Sequence, residues 1–138
     1  MVSKDHVEAG REEGFAQACH GKRAPLKRMA KGDGVIYYSP KNKFKGTEKC
    51  QAFTAIGKVK DEEVYQAKMG DDFEPFRRNI EFYDVQETPI LPLLPHLSFI
   101  NNKTSWGAIF RTGFFGVPKE DFLLIAEKMQ IQAVQDFA

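Results

Sequence analysis

The side chains that could do chemistry in this chain point to recognition of a ligand and not to a reaction. Cys19 and His20 are adjacent, and because neighbouring residues of a strand point to opposite faces, they are badly placed to act together as nucleophile and base. The histidines are scattered at His6, His20 and His96, and neither cysteine lies in a CxxC pair, so we expect no metal site. The sequence contains no P-loop, GxSxG, HExxH or GxGxxG motif. We therefore expect no catalytic residues, no metal and no cofactor.

What remains is a set of groups that could grip a flat heterocycle beside an anion. A base stacked on an aromatic side chain is stabilised by about 1 to 3 kcal/mol, and amide groups can distinguish its edge. The candidates are the aromatic residues Phe15, Tyr37, Tyr38, Phe76 and Trp106, the polar residues Ser3, Gln17, Ser39 and Asn101, and the arginines Arg77, Arg78 and Arg111. For Trp106 the alternative is an anchor in the core. Tyr37 and Tyr38 are neighbours on a predicted strand, so at most one of them can face a pocket.

Basic residues are concentrated in the first half of the chain. Residues 1–60 contain 13 Lys and Arg against 6 Asp and Glu, and residues 61–138 contain 7 against 13, so the net charge of +1 conceals halves of opposite sign. The basic side chains form two runs on either side of Tyr-Tyr-Ser-Pro: Lys22, Arg23, Lys27, Arg28 and Lys31, then Lys41, Lys43, Lys45 and Lys49. Such a field beside aromatic residues is typical of a polyanion site, and the alternative is a solvated, lysine-rich surface.

Four strands are predicted from apolar, β-branched and aromatic runs. They cover residues 35–38, 51–59, 64–69 and 75–84, and the second and third should form a hairpin across the acidic turn between them. Gly57 inside the second run indicates a bulge or a close approach of another backbone. In the last run Phe76, Arg78, Ile80 and Phe82 share one face. A partly buried arginine needs an anionic or hydrogen-bonding partner, which singles out Arg78.

Helices are predicted mainly near the two ends of the chain. Ser3 is suited to cap a short helical turn over residues 4–9, which the glycines at 10 and 14 should end. Residues 24–29 should form one or two helical turns with their Lys and Arg side chains outward. Further expected elements are a tight turn or short helix over 89–95, a helical turn over 106–110, a short strand over 112–117 and a helix over 118–130. In the last helix Phe122, Ile125, Ala126 and Met129 form an apolar stripe that we assign to the core.

Length and composition are those of one globular domain. The 138 residues are 42% hydrophobic and 28% charged, and a chain of this size can bury a core without a metal or disulfide. We predict a single α+β domain over residues 1–138 with a curved sheet, closed or nearly closed. No apolar run is long enough for a membrane helix and the first ten residues contain no secretion signal, so we expect a cytoplasmic protein. Two cysteines outside any framework fit a reducing compartment.

Several stretches resemble, in order, the motifs of the EVE domain family. They are SKDHV at 3–7, GFAQACHGKRAPLKRMAKGD at 14–33, YYSP at 37–40, FRR at 76–78, PILPLL at 89–94, LSFI at 97–100 and WGAIFRTGFF at 106–115. The resemblance covers nearly the whole chain and implies a PUA-like fold, a small curved β-barrel with short peripheral helices and a C-terminal helix, related to the YTH domains that bind methylated adenine in RNA. It also implies a non-enzymatic reader of DNA bearing modified cytosine or adenine, in bacteria often linked to defence against foreign DNA.

By the same resemblance, the base would enter a cage contributed by separate parts of the chain. In the YTH relatives these are residues just after the first strand, an aromatic residue early in the next segment, a small polar residue at the end of the following strand, and an aromatic residue on a later strand. The matching residues here are Ser3 and Lys4, Phe15 with Gln17, Ser39 with Pro40, and Phe76, Arg77 and Arg78, and Trp106 completes the predicted base pocket. The phosphates would be held by Lys22, Arg23, Lys27, Arg28, Lys41, Lys43 and Lys45.

The beginning of the chain departs from the family pattern. Members usually begin with a longer first strand that contains an aromatic pair, whereas only Met1 and Val2 precede Ser3 here. We therefore expect one side of the barrel to be open, unless the start is assigned too late or another element covers that edge.

The expected partner is nucleic acid that carries a modified base, with DNA favoured over RNA, no membrane partner, and the chain a monomer or weak homodimer. Two alternatives stay open. The same pocket could bind a free nucleoside or another planar metabolite, with the basic loops incidental, or the chain could be an accessory subunit of an RNA-modifying system.

Overall fold

Five antiparallel strands form one sheet around a long central strand. The computed structural model describes residues 3–16, 23–43, 46–67, 74–100, 104–112 and 115–129. The strands are β1 (Phe15–Ala16), β2 (Gly34–Lys41), β3 (Lys49–Gln66), β4 (Phe76–Phe82) and β5 (Thr88–Pro89). Their order is β1-β4-β3-β2, and β5 pairs with β3 beside this path. The predicted strands 35–38, 51–59 and 75–84 are thereby confirmed as elements, with shifted ends.

The hairpin predicted between residues 51–59 and 64–69 is wrong, because β3 runs through the acidic segment as one strand. Val59 pairs with Ile80 and Val64 with Arg78, so five steps along β3 oppose two steps along β4. The extra residues of β3 are absorbed as an irregularity of the ladder, which bends a strand without reversing it. Pairing with β4 on both sides of the irregularity thus overrides the local turn signal of the acidic residues.

Three α-helices and two 3-10 helices complete the described part of the chain. The α-helices are α1 (Lys4–Glu13), α2 (Arg23–Lys27) and α3 (Lys119–Lys128), and the 3-10 helices are Leu91–His96 and Trp106–Thr112. Contrary to the prediction, α1 continues through Gly10, which is buried where a side chain would meet the Phe15 carbonyl. It ends at Gly14, whose φ of 77° is left-handed and therefore favours glycine. Of the strand predicted over 112–117, residues 115–117 have no regular structure, and residues 113–114 lie outside the described residues.

The core consists of two hydrophobic clusters on opposite sides of β2. The first contains the predicted stripe of α3, namely Phe122, Ile125, Ala126 and Met129, together with Tyr38, Phe53, Ile56 and the buried residues of 90–100. The second contains Ala16, Leu26, Val59 and Ile80. Tyr38 belongs to the first cluster and its neighbour Tyr37 packs against the second, as expected for adjacent residues of a strand.

The described strands leave the sheet open, with β1 and β2 as its outer strands. The antiparallel sheet and the short helices confirm the α+β class. No helix among the described residues is long and apolar enough to cross a membrane.

Candidate functional site

The first part of the predicted base pocket lies where the start of α1 meets the end of β2. The Asp5 amide donates a hydrogen bond of 3.0 Å to the Asn42 carbonyl. This bond joins the start of α1, where Ser3 and Lys4 lie, to the chain at the end of β2, which contains Ser39 and Pro40. The Ser3 hydroxyl donates to the Asp5 carboxylate at 2.6 Å. We call this group, Ser3, Lys4 and Pro40 with Asn42, the α1–β2 site.

Two residues that the sequence did not indicate join Lys4 at this site. The Lys4 ammonium lies 3.1 Å from the Glu87 carboxylate, and the Cys50 thiol donates to the same carboxylate oxygen at 3.3 Å. The hydrogen bond and charge of Glu87 raise the pKa of Lys4, and burial together with Glu87 raises the pKa of Cys50 to about 11. The Cys50 thiol is therefore protonated at neutral pH and acts as a donor and not as a nucleophile. No sequence pattern links Cys50 to Glu87, which are 37 residues apart.

Ser39 lies beside the α1–β2 site but inside the protein. Its side chain is completely buried, and its hydroxyl shares a hydrogen bond of 2.7 Å with the Thr54 hydroxyl on β3. Thr54 lies at a register shift, because Tyr37 pairs with Ala55 and Tyr38 with Phe53. The hydroxyl pair thus satisfies two polar groups at a bulge, and a ligand would have to displace this contact to reach Ser39.

The second part of the predicted pocket is a stacked pair on β1 and β4. The Arg77 guanidinium lies 3.8 Å from the centroid of the Phe15 ring, a distance at which cation and ring attract each other. The Glu13 carboxylate at the end of α1 is 3.9 Å from Arg77, and the Arg77 side chain is 14% exposed. We call this pair the Phe15–Arg77 stack. It combines a half-buried aromatic face with a cation whose side chain is mostly buried.

Phe76 and Arg78 point to the other face of β4, towards the second cluster. The Arg23 guanidinium lies 6.0 Å from the Phe76 ring, at the outer limit of a cation–π contact. Arg78 is 3% exposed and donates to the carbonyls of Leu26 and Asp61 at 2.9 Å each, and also to the carbonyl of Met29. The sequence indicated that a partly buried Arg78 needs a hydrogen-bonding partner. In the structure these backbone carbonyls are its partners, and not a ligand.

Trp106 packs on the first cluster. Its ring meets Tyr38 edge-on at 6.2 Å and Phe110 at 6.5 Å, and Tyr38 stacks on Phe110 at 4.1 Å. Burial raises the pKa of Tyr38 to about 12. For Trp106 the sequence left open the alternative of an anchor in the core, and these contacts fit that alternative. Trp106 is nevertheless only partly buried.

The predicted pocket residues therefore fall into separate groups. The ten residues of α1 span about 15 Å, so the α1–β2 site and the Phe15–Arg77 stack lie at opposite ends of this helix. Gln17, between them in the chain, lies outside the described residues. One open cavity of about 280 Å³ is lined by Asp84, Val85, Gln86 and Met129, none of which was predicted to contact a base.

The basic field predicted from the sequence also divides in two. Arg23, Lys27, Arg28 and Lys31 are exposed on and just after α2, and we call them the helix basic group. Lys41, Lys43 and Lys49 are exposed where β2 ends and β3 begins, and we call them the hairpin basic group. The eight residues of β2, which separate the two groups along the sheet, extend over about 23 Å. Lys22 and Lys45 lie outside the described residues.

Ion pairs among the described residues join Lys4 to Glu87, Arg11 to Asp84 and Arg77 to Glu13. The described residues contain no cluster of three His, Cys, Asp or Glu side chains that could hold a metal ion.

Comparison with known proteins gives a consistent assignment. A family model described as "EVE domain" matches residues 1–128. The chain is 51% identical over 128 residues to "UPF0310 protein in gntR 5'region" of Bacillus licheniformis, covering 93% of this chain and 87% of that protein. It is 48% identical over 128 residues to a UPF0310 protein of Mycolicibacterium vanbaalenii, covering 93% and 88% of the two chains. A UPF0310 protein of Streptococcus sanguinis is 45% identical over 134 residues, covering 96% and 92%. The chain therefore belongs to the EVE domain family.

Proposed function

We propose that this protein is a non-enzymatic nucleic-acid-binding module that reads a modified cytosine or adenine, in DNA in preference to RNA, in the cytoplasm. The observation that carries the proposal is the Phe15–Arg77 stack, in which an aromatic face is covered by a guanidinium and not by the apolar core. A flat, electron-rich base can stack on such a ring in place of the guanidinium.

The carboxylate contact of Arg77 also supports this role for the stack. The contact to Glu13 is 3.9 Å long, at the limit of an ion pair, and the Glu13 side chain is largely exposed. Such a long contact contributes little to stability, so little is lost when it is exchanged for contacts to a base. The base then replaces the guanidinium on Phe15, and Arg77 covers the other face of the base.

The two basic groups support the proposed binding of the nucleic-acid phosphates. Exposed lysines and arginines bind phosphates with little dependence on sequence, while the pocket specifies the base. Ser3 and Lys4, at the other end of α1, are proposed to contact the nucleotide next to the one whose base stacks on Phe15. The described strands form an open sheet. We also propose that this sheet is part of a closed PUA-like barrel.

The test compares duplexes that differ in one modified base. Fluorescence anisotropy measures the ratio of affinities for modified and unmodified duplex, and the matched variants are Phe15→Leu and Phe115→Leu. Loss of one stacked ring is worth about 1 to 3 kcal/mol, so Phe15→Leu should lower the preference by roughly 5- to 150-fold and leave binding to unmodified duplex unchanged. Phe115 packs only against the first cluster among the described contacts, so its variant should keep the preference.

Three other outcomes would contradict parts of the proposal. An unchanged preference in Phe15→Leu would remove the stack from the pocket. A free modified nucleoside that competes as well as the duplex would favour a small-molecule binding protein. Recovery of a chemically altered duplex, detected by mass spectrometry, would show an enzyme or a subunit of a modifying system.

A further inference from the structure

Arg78 is an interior cation whose hydrogen bonds join three segments of backbone. One terminal guanidinium nitrogen donates to the carbonyls of Leu26, in α2, and Met29, two residues after α2. The other donates to the Asp61 carbonyl in the irregular part of β3. Its Nε has no partner among the described residues. A buried cation is costly unless it is hydrogen-bonded, so this arrangement must hold the three segments in place.

The helix that Arg78 contacts depends on tertiary contacts for its position. The α2 helix has five residues, fewer than an isolated helix needs to be stable. Its one fully buried apolar side chain among the described ones is Leu26, in the second cluster. The turn after it is fixed by the Gly32 amide, which donates to the Val59 carbonyl at 2.9 Å. Arg78 therefore attaches α2 to the sheet by hydrogen bonds, in addition to the apolar contacts of Leu26.

The residues that α2 presents to solvent are those proposed to bind phosphate. Arg23, Lys27 and Arg28 are exposed, while Leu26 and the Leu26 carbonyl face the sheet. On β4, Arg77 and Arg78 are neighbours that point to opposite faces, one to the Phe15 ring and the other to α2. One strand thus positions both the proposed base pocket and the helix basic group.

We propose that Arg78 is a positioning residue that holds the helix basic group in register with the Phe15–Arg77 stack, so that phosphate contacts and base contact form together. This inference rests on the proposed function for the part that concerns nucleic acid. The attachment of α2 itself does not depend on it, and the experiment separates the two.

The test uses the full chain with Arg78→Met, which replaces the apolar stem of the arginine with one of similar size and removes every donor. Hydrogen exchange without nucleic acid should show the Met29 and Gly32 amides exchanging at least tenfold faster, while the Tyr83 amide, bonded to the Ile56 carbonyl, stays protected. Anisotropy over a salt series should show a slope of log K against log salt that is smaller by roughly 2 to 3, because three phosphate contacts at about 0.9 each are lost.

Ile125→Ala is the matched control, because it lowers stability from α3, in the first cluster. It should raise exchange at all three amides together and leave the salt slope as in the parent. Should Arg78→Met fail to fold, Arg78→Lys keeps the charge but cannot bridge three carbonyls, and it should show the same selective exchange at Met29 and Gly32 to a smaller degree.

The outcomes are distinguishable. Selective loss of protection with a reduced salt slope supports the inference. Exchange at Met29 and Gly32 that matches the parent overturns the inference, whatever the binding. A full salt slope in a variant whose Met29 and Gly32 amides exchange fast overturns it as well. A parent chain that binds no nucleic acid refutes the proposed function instead, while the exchange data still decide whether Arg78 attaches α2.

Discussion

Gly57→Ala is expected to destabilise the protein because a methyl group there has no space. A Cβ built on Gly57 would lie 2.6 Å from the Ile80 Cγ2 and 2.7 Å from the Glu81 carbonyl oxygen. Neither neighbour can move easily, since isoleucine is restricted at χ1 and Glu81 pairs with Lys58 in the β3–β4 ladder. Overpacking of this kind costs about 1 to 3 kcal/mol.

The size of the effect can be converted into a melting temperature. For 138 residues, an unfolding entropy of about 2.1 cal/mol/K per residue gives a total of roughly 0.3 kcal/mol/K. The variant should therefore melt about 3 to 10 °C below the parent, with a smaller unfolding free energy but the same dependence on denaturant. Circular dichroism on heating, together with a urea titration, measures both quantities.

Gly116→Ala is the control for this experiment. Nothing lies within 4 Å of a Cβ at Gly116, so its melting temperature should stay within about 2 °C of the parent. If Gly57→Ala melts at the parental temperature, β3 and β4 are not as close at this point as described, and the reasoning from their packing is refuted.

Two further predictions concern the thiol and the basic groups. In a Cys19→Ser background, iodoacetamide should alkylate Cys50 about 100-fold more slowly at pH 8 than an ordinary exposed cysteine, because its pKa of about 11 leaves almost no thiolate until the pH rises well above 8. Glu87→Gln should speed the reaction several-fold, and an unchanged rate would remove Glu87 as a cause. Affinity for duplexes of increasing length should rise sharply at about 7 base pairs, because a duplex of that length can reach both basic groups. At a rise of about 3.4 Å per pair it covers the roughly 23 Å of β2 that separates them. Lys27→Glu with Arg28→Glu should abolish the step, and a parent without a step would show that one basic group suffices.

The elements that could be predicted from the sequence are those specified by local periodicity. The stripe of α3 and the cores of β2, β3 and β4 depend on apolar spacing that tertiary contacts reinforce, and Gly57 correctly indicated a close backbone approach. Elements decided by distant partners were mispredicted. The acidic segment of β3 has a turn signal, but pairing with β4 keeps it extended. Gly10 has a breaker signal, but it lies inside α1, where the close approach of Phe15 leaves little room for a side chain.

For the candidate site, too, residue types could be predicted from the sequence and distant partners could not. The sequence singled out Phe15 and Arg77 as recognition residues and Arg78 as a residue in need of a partner, because residue type carries that information. It could not supply the partners, since the carbonyls that Arg78 uses are 52, 49 and 17 residues away. Glu87 joins Lys4 and Cys50 through the folding of β5 against β3, which no spacing in the sequence encodes.

The length of β3 has a consequence for how the molecule folds. This single strand of 18 residues pairs with β2, β4 and β5, so the sheet cannot be completed before the chain on both sides of β3 has arrived. The β2–β3 and β3–β4 pairings are local, since Lys41 pairs with Lys49 and Gln66 with Phe76, but β1 must wait for β4, about sixty residues later. We expect the two local hairpins to form first and the pairing of β1 to follow, and we expect one cooperative unfolding transition, in which the two clusters melt together because they share the same strand.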